Sequence, residues 1–177
     1  MKKLLIVVDM QNDFVSGALG TKQAEIILPK VQAKVAEYKA SGDDIIFTRD
    51  THFDDYLATQ EGKSLPVAHC ISGTDGHKIV DCLDTEGCKV YDKSTFGSIL
   101  MAKEIAAGGY DEIEICGLCT DICVVSTALI LKAQVPETKI TVDASRCAGV
   151  DEEGHKAALL TMKSCQVNVI NDDTEGK

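Results

Sequence analysis

Three residue types that do hydrolytic chemistry recur at informative places in this 177-residue chain: cysteine, aspartate beside histidine, and a lone lysine after an apolar run. The segment GLCTDICVVSTAL follows the apolar run Ile113 to Cys116, and Cys123 falls in the first turn of a helical pattern. A helix start offers free N–H groups and a partial positive charge, which favour the thiolate, the nucleophilic form. The plainer reading is a small buried apolar residue, because free cysteine is among the most buried types and the chain has eight. Asp9 ends the first apolar run and Lys93 ends a later one. Together they suggest a nucleophile constellation. Cys123 would attack a carbonyl carbon, and Asp9 would take the thiol proton and return it to the leaving amine. Lys93 would stabilise the developing thiolate, while N–H groups near Cys119 and Cys123 would hold the oxyanion. Taken singly, Asp9 reads as a turn or cap residue and Lys93 as an exposed lysine.

A second cluster lies in RDTHFDDYLATQEGKSLPVAHC. Asp50 and His52, two apart on extended chain, can face one ion, and Glu61 and His69 could complete the set. Mixed nitrogen and oxygen ligands suit Zn²⁺, and also Fe²⁺ or Mn²⁺. The competing reading is a polar loop with capping residues. Phe14 and Phe96 follow the Asp9 and Lys93 motifs and could flank a flat ring, or simply pack in the core. Cys116 and Cys119 form a C-x-x-C with no second pair spaced for zinc. Cys82, Cys88, Cys147 and Cys165 read as unpaired, partly buried thiols, and His77 and His155 as surface residues.

The elements that must position these residues alternate. Strands are predicted at Leu4–Val8, Ile45–Thr48, Lys89–Tyr91, Ile113–Cys116, Lys139–Val142 and Val167–Ile170. Helices are expected from Pro29 to Gly42, Ser98 to Ala107, Asp121 to Ala133 and Asp151 to Lys163. Between Asp50 and His77 periodicity is lost, and a loop this long in a compact domain points to function. Residues after Asn171 read as a polar tail. Strand–helix alternation implies an α/β fold with a mostly parallel sheet covered on both faces, one domain over residues 1–177. Ligands then bind outside the carboxyl ends of the strands. Asp9, Asp50, His52, Asp92, Lys93, Cys119, Asp121, Cys123 and Asp143 all fall just past a predicted strand end.

Composition narrows the class. A formal net charge of −10 argues against nucleic-acid or anionic membrane partners, which need a positive surface. The opening MKKLLIVVDMQNDF mimics a signal peptide, but its apolar stretch stops at Asp9, too soon for a signal core. No apolar stretch approaches a membrane span. Eight cysteines without a secretory signal suggest reduced thiols and a cytoplasmic protein.

VVDMQNDF, YDKSTFGS and GLCTDICVVSTAL, in that order, resemble the isochorismatase-like cysteine hydrolases, and within them the nicotinamidases. The likeness runs from about Leu4 to Ile170. It implies a three-layer sandwich with a six-stranded sheet in the order 3-2-1-4-5-6. It also implies an Asp–Lys–Cys triad at Asp9, Lys93 and Cys123, and a cis peptide at Leu118–Cys119 that turns N–H groups toward the oxyanion. The resemblance further implies a divalent metal held through Asp50, His52 and His69. Relatives often carry a second histidine soon after the Asp-x-His. Here that stretch reads FDDYLAT, and Glu61 is the implied substitute. The metal would bind the pyridine nitrogen of nicotinamide and Phe14 would stack on its ring. True isochorismatases lack the nucleophilic cysteine, so Cys123 points to amide hydrolysis through a thioester, with a carbamoyl or ureido amide as the alternative substrate. Relatives are often dimers or tetramers, which implies a homo-oligomer. From a different class, a phosphoacceptor receiver domain also has acidic residues after strand one, but here Asp9 is followed by Met10 and Gln11.

Overall fold

The computed structural model describes residues 1–173. The end of the expected polar tail, 174–177, lies outside the described residues. Six strands form one sheet: β1 Lys3–Val8, β2 Asp44–Asp50, β3 Lys89–Lys93, β4 Glu112–Leu118, β5 Lys139–Ala148 and β6 Asn168–Ile170. Their order is β3-β2-β1-β4-β5-β6, as expected, and every neighbouring pair is parallel. The central strands are buried on both faces, which is why Leu4 to Val8 reads as a continuous apolar run rather than an alternating one.

Helix α1 spans Asn12–Val15 and α2 spans Lys22–Ser41. Helix α3 is Gln60–Ser64, α4 Ile99–Gly108, α5 Val125–Gln134 and α6 Glu152–Ser164. α2 packs across β1, β2, β4 and β5, whereas α4, α5 and α6 pack on one another in series. Right-handed crossovers that run outward in opposite directions from β1 put these two groups on opposite faces of the sheet.

The structure corrects several boundaries. α2 does not begin at Pro29. Thr21 caps it by accepting from the Ala24 N–H, and Ala24, Ile27, Val31, Val35 and Tyr38 form its buried stripe around an internal proline. The loop after Asp50 is less bare than expected, since a 3₁₀ turn at Tyr56–Ala58 and α3 lie within it. The helix expected from Asp121 opens instead as a π-helical turn, Thr120–Val124, before α5. β5 runs six residues beyond Val142, past a register shift opposite Ile115 to Gly117. Asp143 therefore sits inside a strand, fully buried and paired with Arg146, and does not reach the rim.

Candidate active site and metal centre

The carboxyl ends of β1, β2, β3 and β4 meet where the strand order turns about β1, and the side chains gather there. Asp9 follows β1 directly, with φ of 48°, a conformation aspartate tolerates better than most residues. Asp50 and Lys93 are the terminal residues of β2 and β3. β4 can close on β1 only because residue 117 is glycine. Its φ is 119°, and a Cβ there would lie 2.1 Å from the Val8 carbonyl oxygen. The next peptide, Leu118–Cys119, is cis, as the motif implied. The π turn then carries Cys123 back over the end of β1 and β3.

Lys93 is the hub. Its Nζ lies 2.6 Å from Asp9 Oδ2, 3.5 Å from Cys123 Sγ and 3.6 Å from Asp50 Oδ1. Asp9, Lys93 and Cys123 are each at most 5% exposed. Thr48 Oγ1 donates to Asp9 Oδ1 at 2.6 Å, and the same hydroxyl oxygen accepts from the Asp9 N–H at 3.2 Å. Burial pushes Asp9 above its ordinary range, against the pull of Lys93. Burial would lower Lys93, but the charges of Asp9, Cys123 and Asp50 outweigh it and hold the ammonium form. Burial also pushes the Cys123 thiol well up, with Asp9 adding to the effect. This reverses the expectation drawn from the helix start. A thiol buried this way, with Lys93 Nζ donating to its Sγ, needs a base to become a nucleophile.

Beside the triad, Asp50, His52, Glu61 and His69 bring one ligand atom each within 4.8 Å of all the others. His52 Nε2 is 2.9 Å from Asp50 Oδ2 and 3.5 Å from Glu61 Oε1; His69 Nε2 is 3.5 Å and 3.8 Å from the same two atoms. His69 Nδ1 donates to the Val67 carbonyl at 2.8 Å, which turns the Nε2 lone pair of the neutral ring toward two carboxylates. That arrangement is unfavourable unless a proton or a cation sits between them. Two acids and two imidazoles, three of the four buried, fit a divalent cation with mixed ligands. Burial alone would raise Asp50, but His52 and His69 beside it, with the Lys93 charge, hold its carboxyl below the ordinary carboxylate range.

A cavity of about 880 Å³ opens over both clusters. Phe14 and Phe96 both line it, with Phe14 5.4 Å from the His69 ring and Phe96 45% exposed. Cys119 lines it too, with its thiol pushed by burial up to about 12. A second hollow, about 530 Å³ around Asp44, Lys89, Glu104 and Tyr110, contains none of these residues.

Other residues support the site without a signal that spacing could supply. Gln11 is fully buried and accepts from the Asp50 N–H while donating to the carbonyls of Asp50 and His77. Asp13 accepts from the Cys70 N–H next to His69. Tyr56 packs its ring 4.6 Å from His52 and 5.0 Å from His69. His77 is buried against Thr51 and His155 is half-buried against Thr120, so neither is the surface residue the sequence suggested. Asp92 pairs with Arg49, and Asp121 accepts from the Val150 N–H, so both serve the frame of the site. Cys116 is buried, and all eight cysteines are unpaired thiols; of the four expected to be partly buried only Cys88 is, since Cys147 is buried and Cys82 and Cys165 are exposed.

Residues 3–174 match the model of the isochorismatase domain family. The nicotinamidase/pyrazinamidase of Mycobacterium tuberculosis is 28% identical, covering 95% of this chain and 98% of that protein. The nicotinamidase of Saccharomyces cerevisiae is 27% identical over 96% of this chain and 99% of its own length. Among solved structures, the pyrazinamidase of Pyrococcus horikoshii in complex with zinc superposes with a TM-score of 0.85 at 29% identity, covering 96% of this chain and 99% of that one.

Proposed function

The chain belongs to the isochorismatase domain family, and from that premise we propose that it is a cysteine amidohydrolase that converts nicotinamide to nicotinate and ammonia. The observation that carries this reading is Lys93 Nζ set between Asp9 Oδ2 and Cys123 Sγ, under a cavity whose floor also holds the Asp50–His52–Glu61–His69 cluster. Relatives named nicotinamidase and pyrazinamidase over nearly full length support the amide and its ring.

In this reading Asp9 takes the thiol proton as Sγ attacks the carboxamide carbon. The raised pKa of Asp9 makes it a better acceptor than an ordinary carboxylate, and Lys93 stabilises the sulfur as its charge develops. Backbone N–H groups of Cys119 and Cys123, turned by the peptide after Leu118, serve the oxyanion. Asp9 returns its proton to the departing nitrogen, the C–N bond breaks and ammonia leaves, with the acyl group held as a thioester on Cys123. Water, deprotonated by Asp9, then attacks the thioester carbon. The C–S bond breaks, the thiol is reprotonated and the acid is released. Asp50, His52, Glu61 and His69 would hold a divalent cation, zinc or alternatively iron or manganese, which supplies a Lewis-acid anchor for the pyridine nitrogen. Phe14 and Phe96 would flank the ring. We read residues 1–177 as one domain acting as a homo-oligomer, and eight unpaired thiols support a reducing, cytoplasmic setting.

The test is ammonia release from nicotinamide by protein whose metal content is measured on the same sample. Turnover is expected with about one divalent ion per chain, and it should vanish in Cys123→Ala. Full activity in that variant would remove the thioester mechanism.

A further inference from the structure

The cavity above Cys123 is larger than a single-ring amide needs. Pockets on the order of 300–1,000 Å³ hold drug-sized ligands, and this one has about 880 Å³. Its lining is graded. Cys123, Asp50, His52 and His69, all at most 6% exposed, form the floor. Phe53, Phe96, Leu65 and Val150, 38–59% exposed, form an apolar mouth. The lining includes Asp50, Asp55 and Glu61, and no lysine or arginine among the described residues. Lys93 is buried beneath the floor, with its ammonium on Asp9. A divalent cation in the cluster would be balanced by Asp50 and Glu61, which leaves no positive charge for an anionic substrate group. The same balance favours departure of a carboxylate product.

Resting on the amidase reading above, we propose that this site accepts uncharged heteroaryl carboxamides larger than one ring, their apolar extension lying against the mouth at Phe53, Phe96 and Val150, and that it rejects amides bearing a carboxylate. The floor selects the planar amide, and the mouth adds apolar contact for fused or substituted rings. A carboxylate tail would lose its hydration with no cation to receive it.

The experiment compares kcat/KM of the metal-loaded wild-type enzyme on nicotinamide, quinoline-3-carboxamide and an N-carbamoyl amino acid, each read as ammonia released. Quinoline-3-carboxamide should match or exceed nicotinamide, through a lower KM. The N-carbamoyl amino acid should fall at least about 100-fold below both, the scale on which an apolar pocket rejects an added polar group. Val150→Trp narrows the mouth from an exposed position. It should lower the quinoline-to-nicotinamide ratio of kcat/KM about tenfold, the scale of a lost apolar contact. If nicotinamide is turned over and quinoline-3-carboxamide is not, the proposal fails while the amidase reading stands. It also fails if the carboxylate-bearing amide is preferred, or if Val150→Trp leaves the ratio unchanged. Loss of all three activities in wild-type protein overturns the amidase reading itself.

Discussion

Asp9, Lys93 and Cys123 form a unit whose parts make sense only together. A buried carboxylate and a buried ammonium 2.6 Å apart tolerate burial because each neutralises the other. Removing one leaves the other uncompensated. Lys93→Met is expected to cost roughly 3–5 kcal/mol of stability, the usual scale for breaking a buried pair; a denaturation midpoint equal to wild type would mean the pair contributes nothing. Asp9→Asn keeps the shape and removes the base, so kcat should fall by about 10²–10⁴ while the fold survives. Ammonia release together with circular dichroism separates these effects, and an active Asp9→Asn enzyme would rule Asp9 out as the base. At this scale the sequence was informative about residue type and less so about state. Cys123 could be singled out from its motif, but its protonation depends on burial, which the linear order of residues does not display.

The short segment from Asp9 to Phe14 acts as a bracket between β1 and the metal loop. Gln11 makes three hydrogen bonds, two of them to Asp50, and Asp13 holds Cys70 beside His69. Gln11→Ala would leave a buried N–H and two buried carbonyls without their partner, at about 1–3 kcal/mol for each unsatisfied group. It should also weaken metal affinity by roughly 10–100-fold, as loss of supporting contacts typically does. Isothermal titration with zinc checks this, and unchanged affinity would show that Asp50 holds its place without Gln11. Gly117 is the second element-level constraint. Gly117→Ala places a methyl 2.1 Å from the Val8 carbonyl oxygen at a φ of 119°, so the β1–β4 pairing that positions Asp9 and the π turn must shift. Soluble protein with wild-type stability from this variant would contradict the packing described here. Gly117 could be noticed in the sequence as the glycine that ends an apolar run. The π turn after it could not, because a π turn and an α turn bury nearly the same apolar spacing, and the difference is one residue of hydrogen-bond register.

Across the whole molecule, the sheet order brings four strand ends to one rim, and the loop after β2 folds back over it to add Glu61 and His69 to Asp50 and His52. A ligand that binds only this folded arrangement must stabilise it. Zinc at about 100 times its Kd should add about 2.7 kcal/mol, which for a chain of this length corresponds to a rise in Tm of roughly 5–10 °C. Calorimetry with and without zinc measures it, with a chelator restoring the lower Tm; no shift would count against the cluster as a metal centre. Among the described residues no helix is long and apolar enough to cross a membrane. Alternation of apolar runs and helical patterns, the strand-end positions of Asp9, Lys93 and Cys123, and the Asp-x-His were all determined by the sequence itself, because burial on both sheet faces and helix periodicity leave a local pattern. The family motifs added the strand order and the cis peptide. Only the tertiary structure decided that Asp143 stays within its strand and that His77 and Tyr56 are core residues. It likewise brought Glu61, eleven residues from Asp50, into the same cluster, and placed Lys93 at the centre of both charge networks. Those depend on burial and on how the loop and strands pack together, and neither is written in local order.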